Sequence, residues 1–195
     1  MNLVACVLAE LTQNVSVHSL RIKMCLGNAT VCYSKNMKVR NNMKFEKVSA
    51  AQFAADCDAA GFAVEYANVV MPKRATKGSA GYDICIPFDV VLAPHTSVKI
   101  PTGVRITDMP RSVFMAVYVR SSVGIKRNVV LCNNVGIIDS DFNKDIWLAL
   151  RNEGDEDVEF LAGERVAQGI IQPYLVCDDD DAVGNRDGGI GSTGA

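Results

Sequence analysis

The sequence predicts an all-β fold, a sandwich or jelly roll of short strands with one short helix ahead of them. Three observations predict it. From Val69 onward, short runs rich in Val, Ile, Leu and aromatic residues recur between turn residues. The turns are marked by Pro94, Pro101-Thr102-Gly103, Asp108-Met109-Pro110 and Gly154. Only one stretch carries helix signals at both of its ends. Many short strands at this spacing favour a sandwich or jelly roll over alternating β-α units.

The helix comes first. Ser49 as N-cap with Gln52 three residues on forms a capping box, and Val48 with Phe53 forms a hydrophobic staple. An Ala-rich run continues through Ala60, and Gly61 is a natural stop. Residues 43–67 are therefore read as a helical lead-in that packs on the core. The strands expected after it are 90–92, 97–100, 104–106, 113–119, 128–131, 145–150, 158–161 and 169–172. No helix longer than the first is expected. Residues 1–42 show no clear period and are assigned as an extension of unknown role, without predicted structure. Because a well-capped helix follows Met43 almost at once, a chain beginning at Met43 is expected to fold and act like the full chain.

Composition limits the function. With 49% hydrophobic and 22% charged residues among 195, the chain has the makeup of an ordinary globular protein of one domain and an appendage. No apolar run is long enough to span a bilayer, so no membrane role is expected. The net charge of −2 is uneven: residues 1–47 hold seven Lys/Arg against two Glu, whereas 48–195 hold thirteen Lys/Arg against twenty Asp/Glu. An acidic body repels phosphate backbones, so nucleic acid is not expected as a partner. The seven cysteines, an odd count without a C-x-x-C pair, argue against a disulfide framework or a zinc site and suggest a reducing, cytoplasmic setting. Asp178-Asp179-Asp180-Asp181 reads as a solvated hinge, because four adjacent carboxylates repel one another. It leads into a glycine-rich tail, residues 183–195, with too little apolar surface to hold itself in place.

Five short segments carry the chemistry. They are Pro72 to Asp83, Val119-Arg120-Ser121-Ser122, Gly136-Ile137-Ile138-Asp139-Ser140-Asp141-Phe142 with Asn133 just before it, Gly163-Glu164-Arg165-Val166-Ala167-Gln168, and Arg186-Asp187-Gly188-Gly189-Ile190-Gly191-Ser192-Thr193-Gly194. Each alone is weak evidence, since small-residue turns are common in β proteins. A guanidinium, two hydroxyls and backbone N–H groups at Arg120-Ser121-Ser122 can take phosphate oxygens. Asp139 is a carboxylate able to activate water, and on its own Asp139-Ser140-Asp141 would read equally as a turn.

In this order, over roughly residues 68 to 195, the five segments resemble the trimeric all-β dUTP pyrophosphatases, in a variant with a short Arg-x-Gly-Gly tail. The resemblance implies a jelly-roll-like distorted barrel over residues 68–182, closed by the mobile tail at a site shared between the subunits of a homotrimer. It implies dUTP as substrate, Mg²⁺ as cofactor, and release of dUMP and pyrophosphate. Asp139 then corresponds to the water-activating base and Asp83 to the carboxylate that reaches magnesium through water. Arg120, Ser121, Ser122, Gln168 and Arg186 correspond to phosphate contacts, and Arg165 to a supporting ion-pairing residue.

Asn133, with the backbone of Gly136, Ile137 and Ile138, corresponds to the uracil contact. One amide supplies the donor and acceptor that uracil needs and cytosine reverses; the mismatch would leave buried polar atoms unpaired at about a few kcal/mol. Phe142 stands where the family usually has a tyrosine against the deoxyribose. Gly189, Ile190, Gly191 and Ser192 belong to the closing tail, where Ile190 replaces the usual aromatic lid.

Two other readings remain. A dCTP deaminase-like enzyme shares the Arg-Ser-Ser segment and the Ile-Asp turn, but its glutamate base would fall ten residues beyond Asp139, at Ala149. A non-enzymatic, dUTPase-like regulatory binding protein would have no need for Asp83, Arg120, Asp139, Gln168 and Arg186 together.

Overall fold

In the computed structural model the chain divides into two compact units, Met1–Asn41 and Asn42–Ala195. The structure describes two strands of the first unit, 21–26 and 29–34, and residues 42–184, Arg186 and Gly188 of the second. Strands β1 (Arg21–Leu26) and β2 (Ala29–Ser34) pair antiparallel, with Arg21 opposite Ser34 and Leu26 opposite Ala29. Both strands lie within the extension of residues 1–42, for which the sequence named no element. Ile22, Met24 and Leu26 alternate with Arg21, Lys23 and Cys25, a period of two too brief to read without its partner strand.

The second unit opens with β3 (Lys44–Lys47), then α1 (Ala50–Ala60) and a 3₁₀ turn at Tyr66–Asn68. The lead-in is thus a strand and then a helix. Ser49 caps α1 as expected, its side chain accepting from the Gln52 amide at 3.1 Å, and Gly61 closes it in the left-handed region at φ 76°. The strands that follow are β4 (Tyr82–Cys85), β5 (Val90–Leu92), β6 (Ser97–Pro101), β7 (Val104–Thr107) and β8 (Val113–Val119). A short helix α2 (Ser121–Arg127) separates β8 from β9 (Val129–Leu131). The chain continues through β10 (Gly136–Ile138), β11 (Trp147–Asn152), β12 (Val158–Phe160) and β13 (Arg165–Pro173).

The fold class is as expected: all-β, with helices only at α1 and α2 among the described residues. Among the described residues of the second unit four antiparallel sheets form, in the orders β10-β8-β13-β4, β6-β11-β9, β12-β5 and β3-β7. β8 has the expected bounds, while β4, β10 and α2 lie outside the expected elements. β4 and β10 are too short to show a period and exist because β13 and β8 present free backbone to them. In α2, Gly124 and the β-branched Val123 and Ile125 weaken helix propensity, and Lys126 and Arg127 in the last turn favour it.

The core is continuous from α1 into the sheets. Phe53 is fully buried, stacks on Phe88 at 5.9 Å and meets Tyr66 at 5.7 Å, while Phe62 covers the other side of Phe88 at 4.4 Å. Gly103 lets α1 approach. Its φ is +73°, and a Cβ there would stand 2.5 Å from Val69 Cγ2 and 3.1 Å from Phe53 Cε2.

Asp145 is a buried carboxylate in this core, 3% exposed. Its Oδ1 accepts from Thr102 Oγ1 at 3.2 Å and the Val104 amide at 3.1 Å, and its Oδ2 has no partner. Burial pushes its pKa from 3.8 up to about 7, only partly opposed by the hydrogen bonds from Gly103, Thr102 and Val104. Between those two values the folded protein holds the proton that the unfolded chain has lost. Asp145 therefore stabilises the fold most below about pH 4, and that contribution fades as pH rises towards 7, by at most about 4 kcal/mol. Asp145→Asn is expected to remove this slope, so the stability difference between wild type and variant in urea unfolding shifts towards the variant from pH 4 to 7.5; a constant difference would mean that Asp145 titrates normally.

Candidate active site

A single sheet, β10-β8-β13-β4, carries part of each of the first four segments. At the end where β8 runs out, Val119 lies opposite Ala167 of β13, and Gln168 of β13 lies opposite Asp83 of β4. Arg120 then caps α2 with extended backbone, so Ser121 and Ser122 form the exposed first turn of that helix. Asp83 is the hub. Arg120 Nε reaches its Oδ1 at 3.0 Å and Arg165 Nη1 its Oδ2 at 3.0 Å, while Arg120 Nη1 also donates to the Arg165 carbonyl at 3.4 Å. Two guanidiniums on one carboxylate leave a net positive charge, suited to phosphate oxygens.

Gln168 lies across Gly81, where a Cβ would come within 2.6 Å of its Oε1; any larger residue at 81 would displace the amide. Beside this group lies a cavity of about 380 Å³ lined by Arg120, Ser122, Lys126, Arg127, Glu164 and Arg165 among others. Lys126 was not singled out in the sequence. Only α2, which turns it back towards Arg120, brings it to that cavity, and no helical period announces so short a helix. Arg127 is used structurally: it pairs with Glu164 at 2.5 Å and lies 4.0 Å over the Phe160 ring.

The residues expected to meet the nucleoside, and Asp139, lie apart from this group, on and around the edge strand β10. Gly136 is opposite Val117 and Ile138 opposite Met115, so Asp139 leaves the sheet near the start of β8. Arg120 directly follows β8 and stands five residues beyond Met115, roughly 16 Å at strand rise. Asn133 is exposed in the turn before β10, where a Cβ on Gly136 would lie 3.9 Å from its Nδ2. That same Cβ would meet Val117 Cβ at 3.3 Å, so glycine keeps β10 close to β8. Ile137 is exposed, Ile138 is buried, and Phe142 packs its partly buried ring against the core.

Arg186 lies at this second group, not at the first. Its Nη2 bonds Asp139 Oδ2, its Nε lies 2.8 Å from Asp141 Oδ1, and its Cζ is 5.9 Å from the Phe142 ring centroid. The bond to Asp141 and the neighbouring carboxylate charges raise its pKa above the ordinary guanidinium value. Gly189, Ile190, Gly191 and Ser192 lie outside the described residues.

For a cation, the chain itself offers little: no group of three or more metal-binding side chains occurs among the described residues. Asp83 holds two arginines, yet each carboxylate oxygen has a second lone pair for a water. This donor set fits a magnesium ion bound by phosphate oxygens and water, and not one caged by protein.

The dUTPase family model matches residues 67–194. The deoxyuridine 5′-triphosphate nucleotidohydrolase of Lactococcus lactis subsp. lactis is 42% identical over 137 residues, covering 66% of this chain and 91% of that protein. Among solved structures, the dUTPase of Streptococcus mutans aligns with a TM-score of 0.55 at 31% identity, over 69% of this chain and 98% of its own. A dUTPase from phage phi11 of S. aureus, reported to coordinate a structural Mg(II) ion, shares the fold with a TM-score of 0.58 at 20% identity, over 74% of this chain and 98% of that one. With the five segments in order in the sequence and a family match spanning most of the second unit, this chain belongs to the dUTPase family.

Proposed function

We propose that the protein hydrolyses dUTP to dUMP and pyrophosphate, with Asp139 taking the proton from a water that attacks the α-phosphorus as the bond to the β-phosphate bridging oxygen breaks. Such a reaction limits uracil in DNA and supplies dUMP for thymidylate synthesis. Arg120, Ser121, Ser122 and Gln168 bind the phosphates, with Arg165 and Asp83 fixing Arg120. Asn133 and the Gly136–Ile138 backbone read uracil, Phe142 lies against the sugar, and Arg186 with Gly189, Ile190, Gly191 and Ser192 closes over the nucleotide. Magnesium, when bound, neutralises phosphate charge, and Asp83 would reach it through water.

The observation that carries this reading is the separation of the two groups: the phosphate-type residues cluster at the C-terminal end of β8, and the carboxylate that would use them follows Ile138, which pairs with Met115 near the other end of that strand. A site made from one group of one subunit and the other group of its neighbour joins them, as in a homotrimer. The chain that follows β13 supports assembly, since Leu175 is 97% exposed and Val176 and Tyr174 are also open to solvent. The free thiols of Cys57, Cys85, Cys132 and Cys177 agree with a reducing, cytoplasmic setting. Deamination is disfavoured by Ala149, which puts a methyl group of β11 where that chemistry needs a carboxylate.

Pyrophosphate release measured on dUTP, dCTP, dTTP and UTP tests the substrate; equal rates on dCTP would overturn it. Subunit mixing tests the shared site. Asp139→Asn and Arg120→Ala proteins, each inactive alone, should regain about a quarter of wild-type activity when refolded together, because mixed trimers then contain intact sites. No recovery would place both residues of a site on one chain. Ile190→Phe should restore a stacking face and tighten dUTP up to about tenfold, from about 0.5–1.5 kcal/mol of aromatic contact; an unchanged affinity in titration would mean that another side chain covers the base.

A further inference from the structure

The tail arginine and the general base are bonded to each other within one chain. Arg186 is two residues beyond Gly184 and follows an open stretch in which Val183 is 94% exposed, yet its own side chain is only 21% exposed. Three contacts account for this: the guanidinium bridges two carboxylates, Asp139 through Nη2 and Asp141 through Nε at 2.8 Å, and lies over the Phe142 ring. The turn is built to present them together, since the Phe142 amide donates to the Asp139 carbonyl at 3.1 Å and closes the segment. The Asp141 side chain is 55% exposed.

We propose that Asp141 is a positioning residue that, with Asp139, holds Arg186 of the same chain when no nucleotide is bound, so that substrate must draw the guanidinium off the base before the base can accept a proton. The inference rests on the roles of Asp139 and Arg186 given above. The Asp139 oxygen bonded to the guanidinium is occupied and not open to a water, and an arginine held by two carboxylates is not free to clamp phosphate. A triphosphate carries more negative charge than the two aspartates and competes for the same group. The resting contact thus occupies the base and opposes binding by a modest amount, because partly exposed ion pairs are weak.

The test is Asp141→Ala, with Asp141→Asn as a milder change and Asp141→Glu as the rescue. Hydrogen exchange of the peptide around residues 183–188 is measured in nucleotide-free protein and with saturating α,β-imido-dUTP, alongside steady-state kinetics on dUTP. Expected for Asp141→Ala and Asp141→Asn are faster exchange in the free protein, wild-type exchange once nucleotide is bound, a KM lowered about two- to five-fold and a kcat within about two-fold. Asp141→Glu should return both exchange and KM towards wild type. Equal exchange in free wild type and both variants, or a KM that rises, overturns the proposal; a fall in kcat with unchanged KM overturns it by putting Asp141 in the chemistry. The exchange in nucleotide-free protein reads the contact whatever the substrate, so failure to hydrolyse dUTP would sink the proposed function and not this inference.

Discussion

Asp139→Asn is expected to reduce turnover about 10²- to 10⁴-fold while leaving folding and dUTP binding nearly unchanged, the usual scale for loss of a general base. The amide keeps the size of the carboxylate and can still sit in the turn closed by the Phe142 amide, but it cannot take a proton from water. The side chain is 47% exposed, so the substitution leaves no buried polar group unsatisfied. It also removes one of the two charges that hold Arg186, so nucleotide binding should not weaken. Single-turnover pyrophosphate release together with titration by a non-hydrolysable analogue separates the two effects. Turnover within about tenfold of wild type would assign the proton transfer to another group.

Phe53→Ala is expected to cost about 3–5 kcal/mol of stability, the range for truncating a fully buried aromatic side chain. Phe53 is 0% exposed and joins Phe88 and Tyr66 into one aromatic stack, so its loss leaves a cavity beneath α1 that no neighbour fills without shifting the helix. The consequence is a melting temperature lower by about 6–20 °C for a domain of this size. Phe53 stands on α1, outside the sheet that carries the candidate site, so turnover of the variant at a temperature where it is folded should stay within a few-fold of wild type. A melting temperature within about 2 °C of wild type would show that α1 contributes little to the core.

What the sequence by itself determined were features written in local chemistry. Ser49, Gln52 and Gly61 state where α1 begins and ends, and the apolar run of 113–119 states β8, because caps and periodicity act over a few residues. The segments around Asp83, Arg120, Asp139, Gln168 and Arg186 pointed to a nucleotide site through the family resemblance that they carry together and in order. Only the tertiary structure decided the rest. β4 and β10 pair with the backbone of β13 and β8, and neither is among the strands expected from the sequence. α2 forms in spite of Gly124 and two β-branched residues, and through it Lys126 reaches the cavity beside Arg120. The pairing of Asp83 with both Arg120 and Arg165 joins residues up to 82 positions apart in sequence, which only sheet register can bring within 3.0 Å. The contact of Arg186 with Asp139 and Asp141 is of the same kind: charge said that these groups could pair, but the path of the chain after β13 decided that they do.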